Sequence, residues 1–345
     1  MSATSSTTNS DERASAAAIR YIASFFLVAF LSLTAAFVVR YTLLGSVPPR
    51  LTGNESFDRK MQFILDQGFG TEPLSVVVGS SMALNDVNAD VFQDFDGTRY
   101  LNAGAWALDL AQSASLADLL LERFNVRRVI LTTQYFELTD AMQPSYEFSV
   151  AEIRRHLHGN ILSNLAFHTD IFDAVMRRLN PNPVYSNPQS YVYLNFNSTG
   201  SDPLYVDRDH IDPERWNPRP GPPLPCDHCT AVVTQMCRSA LAHNAEFFVI
   251  LPPITQYAQD TDPQTQDDYH TRRQKLEPAV TDCGGRLFDA AAFIELDDSC
   301  FADLAHLNAE GSRILSEAFI RWMHDGMPAG AGRSSPMRHV CSGTP

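Results

Sequence analysis

The chain has 345 residues, 44% hydrophobic and 19% charged, with a formal net charge of −14 and a sequence pI near 5.1. That length and apolar content allow one large domain or two small ones. The acid is spread along the chain and no basic run occurs. This argues against nucleic acid as a partner, because phosphate binding needs clustered Lys and Arg.

Residues 1–18 are Ser/Thr-rich and polar, and read as a disordered tail. Residues 19–44 follow as an apolar segment. Its centre, Tyr21 to Val39, carries no charge and lies between Arg20 and Arg40. About twenty apolar residues span a bilayer, whereas a cleaved signal usually has a shorter apolar run and a small-x-small site. The reading is an uncleaved transmembrane anchor. Residues 45–73 then hold a linker with Pro48-Pro49 and a lead-in helix from Glu55 to Gly68, with Phe57, Met61, Ile64 and Leu65 at helical spacing.

From Leu74 onward the pattern alternates strand and helix. Strands are expected at Leu74–Gly79, Tyr100–Gly104, Arg128–Thr133, Glu246–Leu251 and Arg286–Asp289. Helices are expected at Leu108–Phe124, Val150–His158, Ile161–Leu179, Thr230–His243, Asp267–Val280 and Asn308–His324, with a short helix or turn over Asp86–Phe95. This rhythm predicts an α/β fold, a three-layer sandwich around a central parallel sheet of about five strands. Residues 74–325 form the main domain. Residues 137–225 interrupt it as an insertion rich in Pro, Asn, Asp and Tyr, of the length expected for a lid or binding wall. Residues 326–345, rich in Gly, Pro and Ser, read as a loose tail.

Two stretches could carry chemistry. In Val76-Val77-Val78-Gly79-Ser80-Ser81 a buried strand ends in a glycine turn, and two serines open a helix. A serine there stands beside unpaired helix N–H groups that can hold an oxyanion. The same serines could instead simply cap the helix. Just before the last helix, Asp303-Leu304-Ala305-His306 places an acid and an imidazole three residues apart on a loop. His306 could take a serine's proton while Asp303 fixes its tautomer, or the two could be a surface acid and a capping histidine.

Together these residues resemble the SGNH (GDSL-like) hydrolase superfamily over about Leu74 to Trp322. Gly79-Ser80-Ser81 matches the first block with Ser80 in place of the aspartate, Gly104 matches the second-block glycine, and Asp303-Leu304-Ala305-His306-Leu307-Asn308-Ala309-Glu310-Gly311 matches the last. The third block departs from the pattern. Where the family has Gly-x-Asn-Asp, this chain runs Thr132-Thr133-Gln134-Tyr135-Phe136. With the anchor, this resembles the branch of membrane-anchored or periplasmic proteins that acylate surface polymers, such as alginate O-acetyltransferase-type proteins. The resemblance implies Ser81 as nucleophile, His306 as base and Asp303 as its orienting acid. The oxyanion would be held by Ser81 and Gly104 N–H groups and the Gln134 amide. It implies a catalytic domain outside a bacterial cytoplasmic membrane, an acyl acceptor such as an exported polysaccharide, and a donor supplied by a membrane-bound O-acyltransferase. Tyr185, Tyr191, Tyr193 and Trp216 of the insertion are candidates to stack on sugar rings, ordinary loop packing being the alternative. A simple esterase and a catalytically silent scaffold are the competing readings. No cofactor is expected.

Six cysteines, Cys226, Cys229, Cys237, Cys283, Cys300 and Cys341, suit an oxidising compartment. Cys226-Asp227-His228-Cys229 with Cys237 is half of a zinc pattern with no second half, so no metal is expected. The expected bridges are Cys283–Cys300, steadying the approach to Asp303, and Cys226 or Cys229 with Cys237.

Overall fold

Strand β1 (Leu74–Gly79) is buried along its whole length and is paired on both sides within the sheet. The computed structural model describes residues 8–42, 47–138, 146–159, 171–180, 182, 185, 187, 190–206, 211, 213–216, 226–262, 264–326 and 336–341. Around β1 lie β2 (Arg99–Asn102), β3 (Val126–Thr132), β4 (Glu246–Leu251) and β5 (Arg286–Asp289), all parallel in the order β2-β1-β3-β4-β5. This is a flavodoxin/SGNH-like topology. Its strand order reverses between β1 and β3, where open α/β sheets form a crevice at their carboxyl ends.

Strand alternation divides the core into two layers. Val76, Val78, Val129, Leu131, Phe247 and Val249 face one side. They pack under α2 (Glu55–Asp66), α5 (Leu110–Arg123), α8 (Asp227–Ala242) and α10 (Gln264–Thr281). Val77, Ile130, Phe248, Ile250 and Phe288 face the other, under α4 (Ala89–Asp96) and α11 (Ala309–Asp325) with its Phe319 and Trp322. Both faces of a parallel sheet must be covered, which is why its strands read as unbroken apolar runs.

The expected sheet is present, with boundaries moved by a few residues. α3 (Ser81–Asp86) is a separate short helix with Ser80 as its N-cap. In the insertion, α6 (Val150–His158) matches its expected bounds and α7 covers Ile171–Leu179, while residues 161–170 lie outside the described residues. α9 (Gln256–Thr261) follows β4.

Both ends differ from expectation. α1 (Thr8–Thr42) begins well inside the stretch read as a disordered tail; residues 1–7 lie outside the described residues. Its Ser15–Arg40 portion holds an 18-residue stretch of mean hydropathy 2.5 and is long and apolar enough to cross a membrane. At the other end, β7 (Met337–His339) pairs in parallel with β6 (Ile294–Leu296), so this part of the tail is ordered. Residues 327–335 lie outside the described residues.

The disulfides are Cys226–Cys229, Cys237–Cys283 and Cys300–Cys341, which corrects both expected pairings. Cys283 precedes β5 and Cys300 follows it, so they lie toward opposite ends of a four-residue strand. Such a strand is about 13 Å long, beyond the 4.4–6.8 Å Cα reach of a disulfide. Cys229 and Cys237 share α8, eight residues or roughly 12 Å apart. Cys237 instead links α8 to the end of α10 on the same face, and Cys341 ties the C-terminal segment beneath the Asp303 loop.

Candidate active site

Gly79 makes the turn after β1 with φ +145°, and a Cβ there would lie 2.3 Å from the Thr132 carbonyl oxygen. Only glycine lets β1 approach β3 this closely while reversing direction. Ser80 and Ser81 then part company. Ser80 is buried: its Oγ accepts from the Met82 N–H and donates to the buried Glu137 carboxylate. Glu137 also accepts from Thr133 Oγ1 and the Gln134 N–H, each at 3.0 Å. Ser80 therefore braces the turn. Ser81 turns the other way, to the carboxyl end of the sheet.

The Asp303–His306 loop meets it there. Phe301 and Leu307 bridge antiparallel, and the Ala302 N–H donates to the His306 carbonyl, which folds the loop into a tight turn. His306 Nε2 lies 2.8 Å from Ser81 Oγ. Its Nδ1 lies 3.0 and 3.1 Å from the two Asp303 oxygens. Asp303 Oδ1 also accepts the Ala305 and His306 backbone N–H groups at 2.8 and 2.7 Å. The structure thus joins Ser81, His306 and Asp303 in one line, with the serine hydroxyl at the nitrogen opposite the acid. A neutral imidazole held so can accept the hydroxyl's proton, and the acid stabilises the imidazolium that forms.

The charges agree with that order. Burial works against ionising Asp303, but His306 and the hydrogen bonds overcome it and hold the carboxyl well below its usual range. Burial likewise opposes charging His306, and the Asp303 carboxylate overrides it, raising the imidazole above its ordinary value. A third acid, Asp86, lies fully buried behind the pair. Its Oδ1 accepts the Leu307 N–H at 2.9 Å, and its Oδ2 has no partner among the described residues. Burial raises its carboxyl well above the ordinary carboxylate value.

The insertion adds two groups that the sequence reading assigned elsewhere or missed. Tyr191 Oη donates to Asp303 Oδ2 at 2.7 Å and lies 2.6 Å from His306 Nδ1. Burial and the neighbouring carboxylate raise this phenol well above its ordinary value, so it remains a donor. The Arg215 guanidinium covers the Tyr191 ring at 3.7 Å and reaches Asp303 Oδ2 at 3.6 Å. The ring also packs on the cluster of Leu204, Val206, Ile211 and Ala302. The Tyr191 hydroxyl and ring are thus directed to Asp303, Arg215 and this cluster. Trp216, the other aromatic offered as a sugar platform, also faces inward. It is buried in the second core layer, edge-on to Tyr257 at 6.1 Å. Tyr185 stands beside Trp106 at 6.0 Å. Tyr193 is half-buried.

Two of the expected oxyanion donors are otherwise engaged. The Gly104 N–H donates to Asn102 Oδ1 at 2.9 Å. The glycine is needed for contact: a Cβ would lie 2.7 Å from both Ala83 Cβ and Leu84 N. Gln134 is buried, and its amide donates to the Pro253 carbonyl at 3.2 Å. The Ser81 N–H, at the start of α3, remains as a donor to an oxyanion. Cys226 and Cys229 are joined to each other, so they are not free thiolates for a metal.

No family model matches the chain, and no curated protein matches it. Among solved structures it is similar to a Bacteroides fragilis protein described as a "putative acylhydrolase", with a TM-score of 0.38 and 10% identity. The match covers 84% of this chain and 97% of that one. At this score the likeness carries no functional weight, and the fold assignment rests on the chain's own sheet order.

Proposed function

We propose that the protein is a serine acyl-ester enzyme of the SGNH type, anchored by α1 with its α/β domain outside a bacterial cytoplasmic membrane. The single observation that carries this reading is Ser81 Oγ at 2.8 Å from His306 Nε2, with the opposite ring nitrogen held by Asp303. Ser81 attacks the acyl carbonyl of a donor ester while His306 takes its proton. The oxyanion forms near the Ser81 N–H at the start of α3. As the intermediate collapses, the leaving alcohol takes the proton from His306 and acyl-Ser81 remains. An acceptor hydroxyl then attacks, His306 takes its proton, and the serine is regenerated.

The acceptor in this reading is a hydroxyl of an exported or surface polysaccharide, with the donor presented by a membrane-bound O-acyltransferase. Water as the acceptor makes the protein an esterase. An anchored domain and three disulfides, with no free cysteine among the described residues, fit the oxidising side of a membrane where such polymers pass.

The test is turnover of p-nitrophenyl acetate by the full chain in nanodiscs, with and without a polysaccharide acceptor. Turnover that Ser81→Ala abolishes supports the serine mechanism, and ester-linked acetyl on the polymer identifies transfer. Equal turnover in Ser81→Ala, or none in the parent, contradicts the proposal and favours a silent scaffold.

A further inference from the structure

Helix α7 presents an apolar stripe that no described part of the chain covers. Phe172, Met176 and Leu179, spaced four and three residues apart, fall on one side of the helix. They are 80, 48 and 75% exposed. The opposite side is bound to the domain. Ala174 is buried against Val47, Arg177 donates to the Pro48 carbonyl at 3.0 Å, and Asp173 pairs with Arg50 at 3.6 Å. These partners belong to the stretch that follows α1, so α7 is pinned at the exit of that helix. It also lies against α1 itself, whose Ala36, Phe37 and Arg40 lose exposure near its end while its other apolar side chains stay open. The buried Arg40 guanidinium donates to the Val47 carbonyl at 2.9 Å and ties the end of α1 to the segment on which α7 packs.

Depth follows from length. The uncharged run Tyr21 to Val39 is about 28 Å long as a helix, close to the roughly 30 Å hydrocarbon thickness of a bilayer. Its last turns, where α7 is attached, therefore lie at the membrane–water boundary. A stripe of Phe, Met and Leu at that level, flanked by the exposed Arg178, has the composition of a helix lying in the interface. The arginine suits lipid phosphate.

We infer that the Phe172–Met176–Leu179 face of α7 docks on the lipid surface beside α1, giving the domain a second membrane contact and a fixed attitude. This inference rests on the proposal that α1 is a membrane anchor, and the test separates the two. The full chain is reconstituted in phosphatidylethanolamine/phosphatidylglycerol vesicles with and without brominated lipid. Tryptophan reporters are introduced singly as Phe172→Trp, Leu179→Trp, Phe30→Trp in α1 and Phe95→Trp on α4, and each is read as the difference from the parent. The expected result is strong quenching of the Phe30→Trp reporter. Phe172→Trp and Leu179→Trp should be quenched at least about twofold more than Phe95→Trp, because they sit within the acyl boundary. Quenching at position 30 but not at 172 or 179 overturns the docking and leaves the anchor standing. Quenching at none of these removes the anchor and the docking together. A blue-shifted but unquenched reporter at 172 whose emission depends on protein density assigns the face to a second copy and also overturns the inference. Two reporters on the stripe guard against one variant misfolding.

Discussion

Two regions converge on the Asp303–His306 loop, and they were built by different means. The sheet supplies Ser81 from the end of β1 and the loop itself from before α11. These positions are fixed by parallel strands, a glycine turn and two packed layers. The insertion supplies Tyr191 and Arg215 from a segment with little regular structure. It is nonetheless stitched to the frame. The Asn102 N–H donates to the Thr199 carbonyl at 2.7 Å, Asn85 Nδ2 to the Asp202 carbonyl at 2.6 Å, and the Ala309 N–H to the Leu204 carbonyl at 2.8 Å. The difference separates roles. Ser81 sits on the frame where a bond to a substrate can form, while Tyr191 and Arg215 meet the site at Asp303, with the Tyr191 hydroxyl also beside His306. Mutations on the two sides should therefore differ in size and kind.

The largest effect belongs to the frame. Ser81→Ala and His306→Ala should each lower ester turnover by about 10⁴-fold or more, since members of such a set fail together. Stopped-flow or long-incubation ester assays read this directly. A loss under tenfold in Ser81→Ala would break the distinction at its root.

Asp303→Asn comes next, with a fall of about 10³–10⁴-fold through the wrong tautomer. It also carries a stability signature. Asp303 has a depressed folded-state value, so its contribution is present above the ordinary carboxylate range and is lost as pH falls through and below that range. The Tm gap between parent and Asp303→Asn should accordingly hold from neutral pH down to about pH 4 and shrink below it. A gap that widens there, or does not change across the whole range, contradicts the assignment.

Tyr191→Phe should cost less, roughly tenfold to a hundredfold, as expected for one hydrogen bond to a charged group. It should leave KM nearly unchanged, because the ring lines no substrate site in this reading. The parent rate should rise with pH to a plateau whose midpoint lies above 6.5, since the carboxylate raises His306 and the neutral imidazole is the base. Loss of the Tyr191 donor should displace that midpoint. A large KM change with kcat intact would return Tyr191 to the substrate-stacking role.

The smallest effects are expected at Asp86. Asp86→Asn keeps an acceptor for the Leu307 N–H and the shape of the side chain, so turnover within about threefold of the parent is expected. Asp86→Ala leaves that buried N–H without a partner and should lower stability by about 1–3 kcal/mol by denaturant titration. If Asp86→Asn were as damaging as Asp303→Asn, Asp86 would be acting as a charge and not as a brace.

The contrast also explains what could be read in advance. The strands were legible because a sheet covered on both faces demands apolar runs such as Val76-Val77-Val78, and Gly79 marks where one ends. Ser81 was legible from that punctuation, and His306 from its spacing to Asp303 just before the last helix. Tyr191 was visible as an aromatic but not as a partner of Asp303, a contact closed over 112 residues with no periodicity to betray it. Arg215 had no signal. Asp86 offered only a weak one, an acid at the end of a short apolar helix. The hydrogen bonds that the Gly104 N–H and the Gln134 amide make, to Asn102 and Pro253, left no trace in the sequence. The disulfides were misassigned because sequence proximity says nothing about which end of a strand a cysteine occupies, or that two lie on one helix.

The most direct test of the central claim is the site of covalent capture. Treating the full chain with a serine-directed fluorophosphonate, then mapping peptides by mass spectrometry, should place one adduct on Ser81. Labelling should be lost in Ser81→Ala, sharply reduced in His306→Ala and retained in part in Ser80→Ala. An adduct on Ser80, or labelling undiminished in Ser81→Ala, would contradict the claim that Ser81 is the nucleophile.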